Sequence, residues 1–87
     1  MNQNILFPDV QTWHAEQGQV EFPAQQAGAL ITCFVSKQWL ETAIGHSLDD
    51  ETAVLAAFAN CRFDLEDIAE GAIEDENFNT EGCIEIR

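Results

Sequence analysis

Positive charge is what this sequence has least of. Lys37, Arg62 and Arg87 are its only lysines and arginines, against sixteen aspartates and glutamates, for a formal net charge of −13. Affinity for phosphates comes chiefly from Lys and Arg that neutralise them and release counterions, so direct binding to DNA, RNA or anionic lipid is disfavoured. Basic proteins and cations are the better partners. Cysteine is scarce as well: Cys33, Cys61 and Cys83 are odd in number and form no CxxC pair, which argues against a disulfide framework and against a zinc ribbon. Long hydrophobic runs are missing, and no stretch approaches the ~18 apolar residues of a membrane span. The opening MNQNILFPDV has neither a positive n-region nor a long apolar h-region, and Pro8 interrupts it early. A soluble, reduced, cytoplasmic protein without membrane attachment is the expectation.

What is present suffices for one core. Hydrophobic residues make up 46% of the 87, with six Phe and two Trp, an ordinary content for a globular domain. Residues 1–87 are therefore read as a single domain. A chain this short buries only about 60% of its unfolded surface, so self-association into a homodimer would add stability. The acids are unevenly placed: twelve of the sixteen lie between Asp49 and Glu85.

The hydrophobic pattern gives the elements. Ile5-Leu6-Phe7, stopped by Pro8-Asp9, reads as a short strand near a sheet edge. Gln19-Val20-Glu21-Phe22 alternates as a half-buried strand that Pro23 should end. Ala29 to Val35 is apolar on both faces except at Thr32, as in a central strand, and the loop Ala24 to Gly28 makes the two runs an antiparallel hairpin. Ser36 can cap a short helix with Trp39, Leu40, Ala43 and Ile44 on one face, ended by Gly45. A hydroxyl cap at Ser47 with three acids after it then opens the longest element. Its stripe runs Val54, Ala57, Phe58, Cys61, Leu65, Ile68, Ala69, Ala72 and Ile73. As one helix it would span roughly 42 Å at about 1.5 Å per residue, longer than the ~30 Å expected of such a domain. A break near Asn60-Cys61-Arg62 is expected. Cys83 to Arg87 alternates as a last strand, with Cys83 outward. The order β-β-β-α-α-β implies an α+β domain, a mainly antiparallel sheet of about four strands with two or three helices on one face.

Three stretches, the opening ILFP, the run WHAEQGQVEF followed by GALITCFVS, and LAAFANCRFDLEDIA, together resemble a family of short bacterial proteins known only as domain of unknown function 1488. The resemblance extends over nearly the whole chain. It implies a compact α+β domain of the bacterial cytoplasm and brings no catalytic residue with it. The family's pattern has an aromatic–acidic pair where this chain has Trp13-His14, and basic residues where it has Gln17 and Glu21; Cys61 and Phe63 replace polar positions.

Several chemistries are weighed and set aside. Asp75 to Glu81 offers alternate oxygen ligands after a helix, as calcium loops do, but Thr80 stands where the turn needs Gly and Ile86 where a closing Glu belongs. Cys33, Cys61, Cys83, His14 and His46 could supply zinc ligands in principle, yet Cys33 and Cys61 fall on apolar faces, where free Cys acts as a small hydrophobe. A Cys–His nucleophile needs a positive environment that this chain denies. No catalytic, cofactor or metal residue is assigned. Arg62 should pair with Glu66 at i+4 or with Asp64. The stretch DLEDIAEGAIEDE places seven carboxylates in residues 64–76, and acids at a helix C-terminus oppose its dipole. The candidate interaction surface is Trp13 with Asp64, Glu66, Asp67, Glu70, Glu74, Asp75 and Glu76. The expectation is a non-enzymatic interaction or regulatory module whose acidic helical face meets a basic protein. A nucleic-acid mimic that occupies a basic DNA-binding protein is the alternative, as is a small ligand- or divalent-metal-binding domain.

Overall fold

The computed structural model describes residues 4–87, in the order β1 (Ile5–Leu6), β2 (Thr12–His14), β3 (Gln19–Gln26), β4 (Ala29–Ser36), α1 (Lys37–Ile44), α2 (Glu51–Asn60), α3 (Arg62–Glu74) and β5 (Ile84–Ile86). The expected α+β architecture is present, with five strands and three helices among the described residues. The sheet is antiparallel except where β5 joins β4 in parallel, in the order β1-β3-β4-β5, and β2 pairs with β3 on the same side as β1. The strand over Thr12–His14 was not foreseen, because its three residues lie in a polar stretch.

Pro23 does not end β3. The hairpin turn is only Ala27-Gly28, with φ of 52° and 83°, the double positive φ of a type I′ turn whose twist matches the strands it joins. Residues flanking such a turn face each other with their backbone groups, and the alternation from Gln26 aims the Pro23 nitrogen away from β4. On that side β1 has ended, with Leu6 opposite Gln25, and β2 has yet to begin, with Thr12 opposite Glu21. The edge strand leaves the sheet where Pro23 has no N–H to offer it.

Alternation then sorts the sheet into two faces. Val20, Phe22, Ala24, Cys33, Val35, Ile84 and Ile86 point inward and are buried with Leu40, Val54, Ala57, Phe58, Leu65, Ala69 and Ile73 of the helices in one cluster. At about 25 cal/mol per Å² of apolar surface, this burial is the main stabilising term. Among the described residues the opposite sheet face carries no helix. Ser36 caps α1, its hydroxyl accepting from the Trp39 N–H at 3.0 Å, and Gly45 ends it at φ 96°. The next cap is Asp50, whose carboxylate accepts from the Ala53 N–H at 2.8 Å, rather than Ser47. Two positions of the expected stripes lie outside: Ala43 is exposed, and Ile68 is 42% exposed on the flank of α3.

The long stripe is divided at the expected place. Cys61, at φ −97° and ψ 6°, separates α2 from α3, and hydrogen bonds run through the joint from Cys61 N–H to Ala57 O and from Leu65 N–H to Cys61 O. The molecule measures 36 Å along its longest axis, less than an unbroken helix of that length would need.

Candidate interaction surface

Arg62 begins α3 and finds an acceptor for each of its five N–H groups. Nε donates to Glu66 at 2.8 Å, Nη1 to Asp9 at 3.2 Å and Gln11 at 3.3 Å, and Nη2 to the carbonyls of Phe7 at 3.2 Å and Pro8 at 3.0 Å. The guanidinium also lies 6.0 Å from the centre of the Phe58 ring. Phe58 meets Phe22 edge-on at 5.2 Å, and Phe22 meets Phe7 at 6.5 Å. One side chain thus fastens the excursion between β1 and β2 to the helix joint. The expected pair with Glu66 is there, and Glu66 is thereby engaged within the fold.

The remaining acids of α3 spread along its outer side. Asp64, Asp67 and Glu74 are exposed and Glu70 is half-buried. Phe63, Asp67, Glu70 and Glu74 follow one another at spacings of four, three and four, which sets them on one helical face. Phe63 heads that row and is 83% exposed, two positions from Cys61 and Leu65 and so off the apolar stripe. Asp75 and Glu76 close the helix: Asn77 N–H bonds Ala72 O and Glu76 N–H bonds Ile73 O, a Schellman closure. Its left-handed position is Glu76, at φ 57°, where glycine is the cheaper residue.

Trp13 lies elsewhere. It pairs with Val20, on the helix-facing side of β2, and is half-buried against the core. The structure brings the α3 acids together and leaves Trp13 off their face.

The loop after α3 is organised by Asn79, one of the alternate oxygen ligands that the Asp75 to Glu81 stretch offers. Its Oδ1 accepts from the N–H groups of Glu81 and Cys83, both at 2.9 Å, and its amide donates to Glu85. That oxygen, the middle ligand of a calcium reading, is spent inside the loop. The Asn79 bond holds the Glu85 carboxyl below the usual range, with help from Arg87. Among the described residues no three His, Cys, Asp or Glu side chains converge to hold a metal ion. All three thiols are free. Burial pushes Cys33 up to about 12, and burial first, then Asp64, raises Cys61. Cys83 is raised by burial and then by Glu81, Glu85 and Glu21. Cys83 precedes β5 and by alternation points opposite to buried Ile84. His14 Nε2 lies 2.8 Å from Glu21 Oε1 on the bare sheet face, and exposed His46 Nδ1 lies 3.0 Å from Ser47 O. No helix among the described residues is long and apolar enough to cross a membrane.

These features define a small α+β domain, a mixed five-stranded sheet covered on one face by three helices, with an acidic outer helix carrying an exposed phenylalanine. The chain belongs to the DUF1488 family, described as proteins of unknown function, whose pattern matches residues 5–86. It is 36% identical over 84 residues to the uncharacterised protein YrdB of Escherichia coli K12, covering 97% of this chain and 96% of that one. Against the YrdB protein of Shigella flexneri the identity is 34% over the same length and coverage. A crystal structure of a DUF1488 protein of unknown function from Shewanella loihica PV-4 superposes with a TM-score of 0.93 at 35% identity, covering 99% of this chain and 94% of that one.

Proposed function

We propose that this protein is a non-catalytic protein–protein interaction module of the bacterial cytoplasm, and that its docking face is the outer side of α3. The partner is a basic segment with an apolar anchor. The observation that carries this reading is Phe63, an aromatic side chain 83% exposed at the head of the row Asp67, Glu70 and Glu74. Carboxylates alone serve solubility. A large apolar ring in line with them gives a partner both a contact to bury and charges to steer by. From Asp67 to Glu74 the row extends about 10 Å along the axis, enough for two or three Lys or Arg side chains of a facing helix or strand.

The test is a calorimetric titration with a synthetic amphipathic helix bearing lysines on one flank and leucines on its face. Saturable binding that weakens with salt is expected, and Phe63→Ala should weaken it about tenfold, roughly 1.4 kcal/mol. Replacing Asp67 and Glu74 by Lys should abolish it. Binding unchanged in Phe63→Ala would mean that the charge acts without a site, and no binding at low salt would remove the reading.

A further inference from the structure

The bare face of the sheet changes character along its length. One cross-strand row, Thr12, Glu21, Phe34 and Glu85, carries carboxylates. Nearer the β3–β4 turn, Leu6, Gln25 and Leu30 lie side by side across three strands. Leu6 is 61% exposed and Leu30 is 71% exposed, although both sit in a sheet whose inner face buries nearly every apolar side chain. Between the two rows lie Pro23 and Thr32, paired in register. The chain from Phe22 to Ser36 contains no charged residue, so this end of a molecule of net charge −13 is neutral.

We infer that the Leu6–Leu30 end of the bare face docks a second copy of this chain as a two-fold dimer. The chemistry selects the occupant. A basic partner is drawn to carboxylates, and this patch has none. A second copy carries the same −13, and this neutral end is a surface it can press against its twin without setting carboxylate on carboxylate. A two-fold axis lying in the contact plane along this row places Leu6 against Leu6 and Leu30 against Leu30 of the other protomer, a self-complementary contact. Glu21 lies four strand residues from Gln25, about 13 Å. With the strands of the two protomers antiparallel, the two Glu21 rows point to opposite ends, about 26 Å apart, beyond the Debye length of about 8 Å at physiological ionic strength. The helices pack on the other side of the sheet, so both α3 faces stay free in the dimer.

Salt distinguishes this contact from the α3 surface. It screens repulsion between two anions and tightens the dimer, whereas it loosens a basic partner. Sedimentation equilibrium of the intact protein over a concentration series, at low and high salt, tests the inference. The mass should rise from 9.7 kDa toward twice that value, at lower concentration when salt is high. Leu30→Asp should weaken the dimer at least tenfold and Leu30→Gln by less, while Phe63→Ala leaves it unchanged. Leu6→Asp is measured alongside, with circular dichroism of each variant, so a folding failure in one leaves the other to decide. A wild-type mass that stays at the monomer value throughout, or a dimer that survives both aspartates, overturns the inference. Either result leaves the α3 reading standing.

Discussion

Arg62 shows what one residue can settle in a chain so poor in cations. Its partners Phe7, Pro8, Asp9 and Gln11 lie more than fifty positions away, so removing the guanidinium frees the β1–β2 excursion, takes a donor from the Phe7 carbonyl and leaves the Pro8 carbonyl with the Val10 N–H alone. Arg62→Met should cost about 2 to 3 kcal/mol in chemical denaturation, from the lost hydrogen bonds to a charged group. Arg62→Lys should recover little of it, because a single ammonium cannot serve five acceptors in a planar fork. The i+4 spacing to Glu66 was legible in the sequence; the four distant acceptors were not, since no local pattern joins residue 62 to residues 7–11. Cys33 gives a pH prediction at the same scale. Its thiol stays protonated in the fold up to about 12, while in the unfolded chain it ionises near the ordinary value of about 8.5. The native state therefore holds one more proton between those limits. The contribution is fully present below about pH 8.5 and is lost as pH rises, by about 1.4 kcal/mol per unit. Urea midpoints measured from pH 8 to 10 should fall, and in Cys33→Ala the slope should be shallower by that one proton.

Among the elements, the β3–β4 hairpin was legible in kind but not in extent. Alternation around Val20 and Phe22 marked β3 and the apolar run marked β4. Pro23 pointed to an early end because proline cannot donate to a ladder, and which side its nitrogen faces depends on a register that the sequence does not display. The same gap in the edge strand hid Thr12–His14, which becomes a strand by pairing with Gln19–Glu21. The turn itself offers a test. Ala27 holds φ 52°, a left-handed conformation that costs an ordinary residue roughly 1 kcal/mol, and Asn-Gly is the preferred pair for a type I′ turn. Ala27→Asn should raise the stability by about 0.5 to 1 kcal/mol, read as a higher thermal midpoint. An unchanged midpoint would mean the neighbouring strands, not the turn, set the hairpin's geometry. The helices were more legible than the strands: Ser36 and Gly45 bound α1, and the molecule's size demanded the break at Cys61. Ile68 was assigned to the stripe on spacing alone, and it lies outside because the core of α3 narrows to Cys61, Leu65, Ala69 and Ile73 at every fourth position.

For the molecule as a whole, the count of acids was plain from composition, and their arrangement was not. Glu66 is committed to Arg62, Glu41 accepts from the Leu48 N–H at 2.9 Å, and Glu85 is held by Asn79 and Arg87, so part of the charge is structural. Asp64, Asp67 and Glu74 stay exposed on α3 beside Phe63, whose exposure followed from its place off the stripe. The molecule is two-ended in charge: acidic along its outer helix, neutral at the hairpin end of the bare sheet face. The central claim is that the α3 row is a binding site and not only a solvated surface. The measurement that reaches it most directly is a two-dimensional amide NMR titration of the labelled protein with the lysine- and leucine-bearing helix. Saturable shifts confined to Phe63, Asp64, Asp67, Glu70 and Glu74 and their immediate neighbours are predicted. Shifts spread over acidic residues throughout the chain without saturation, or centred on the sheet face, would contradict it.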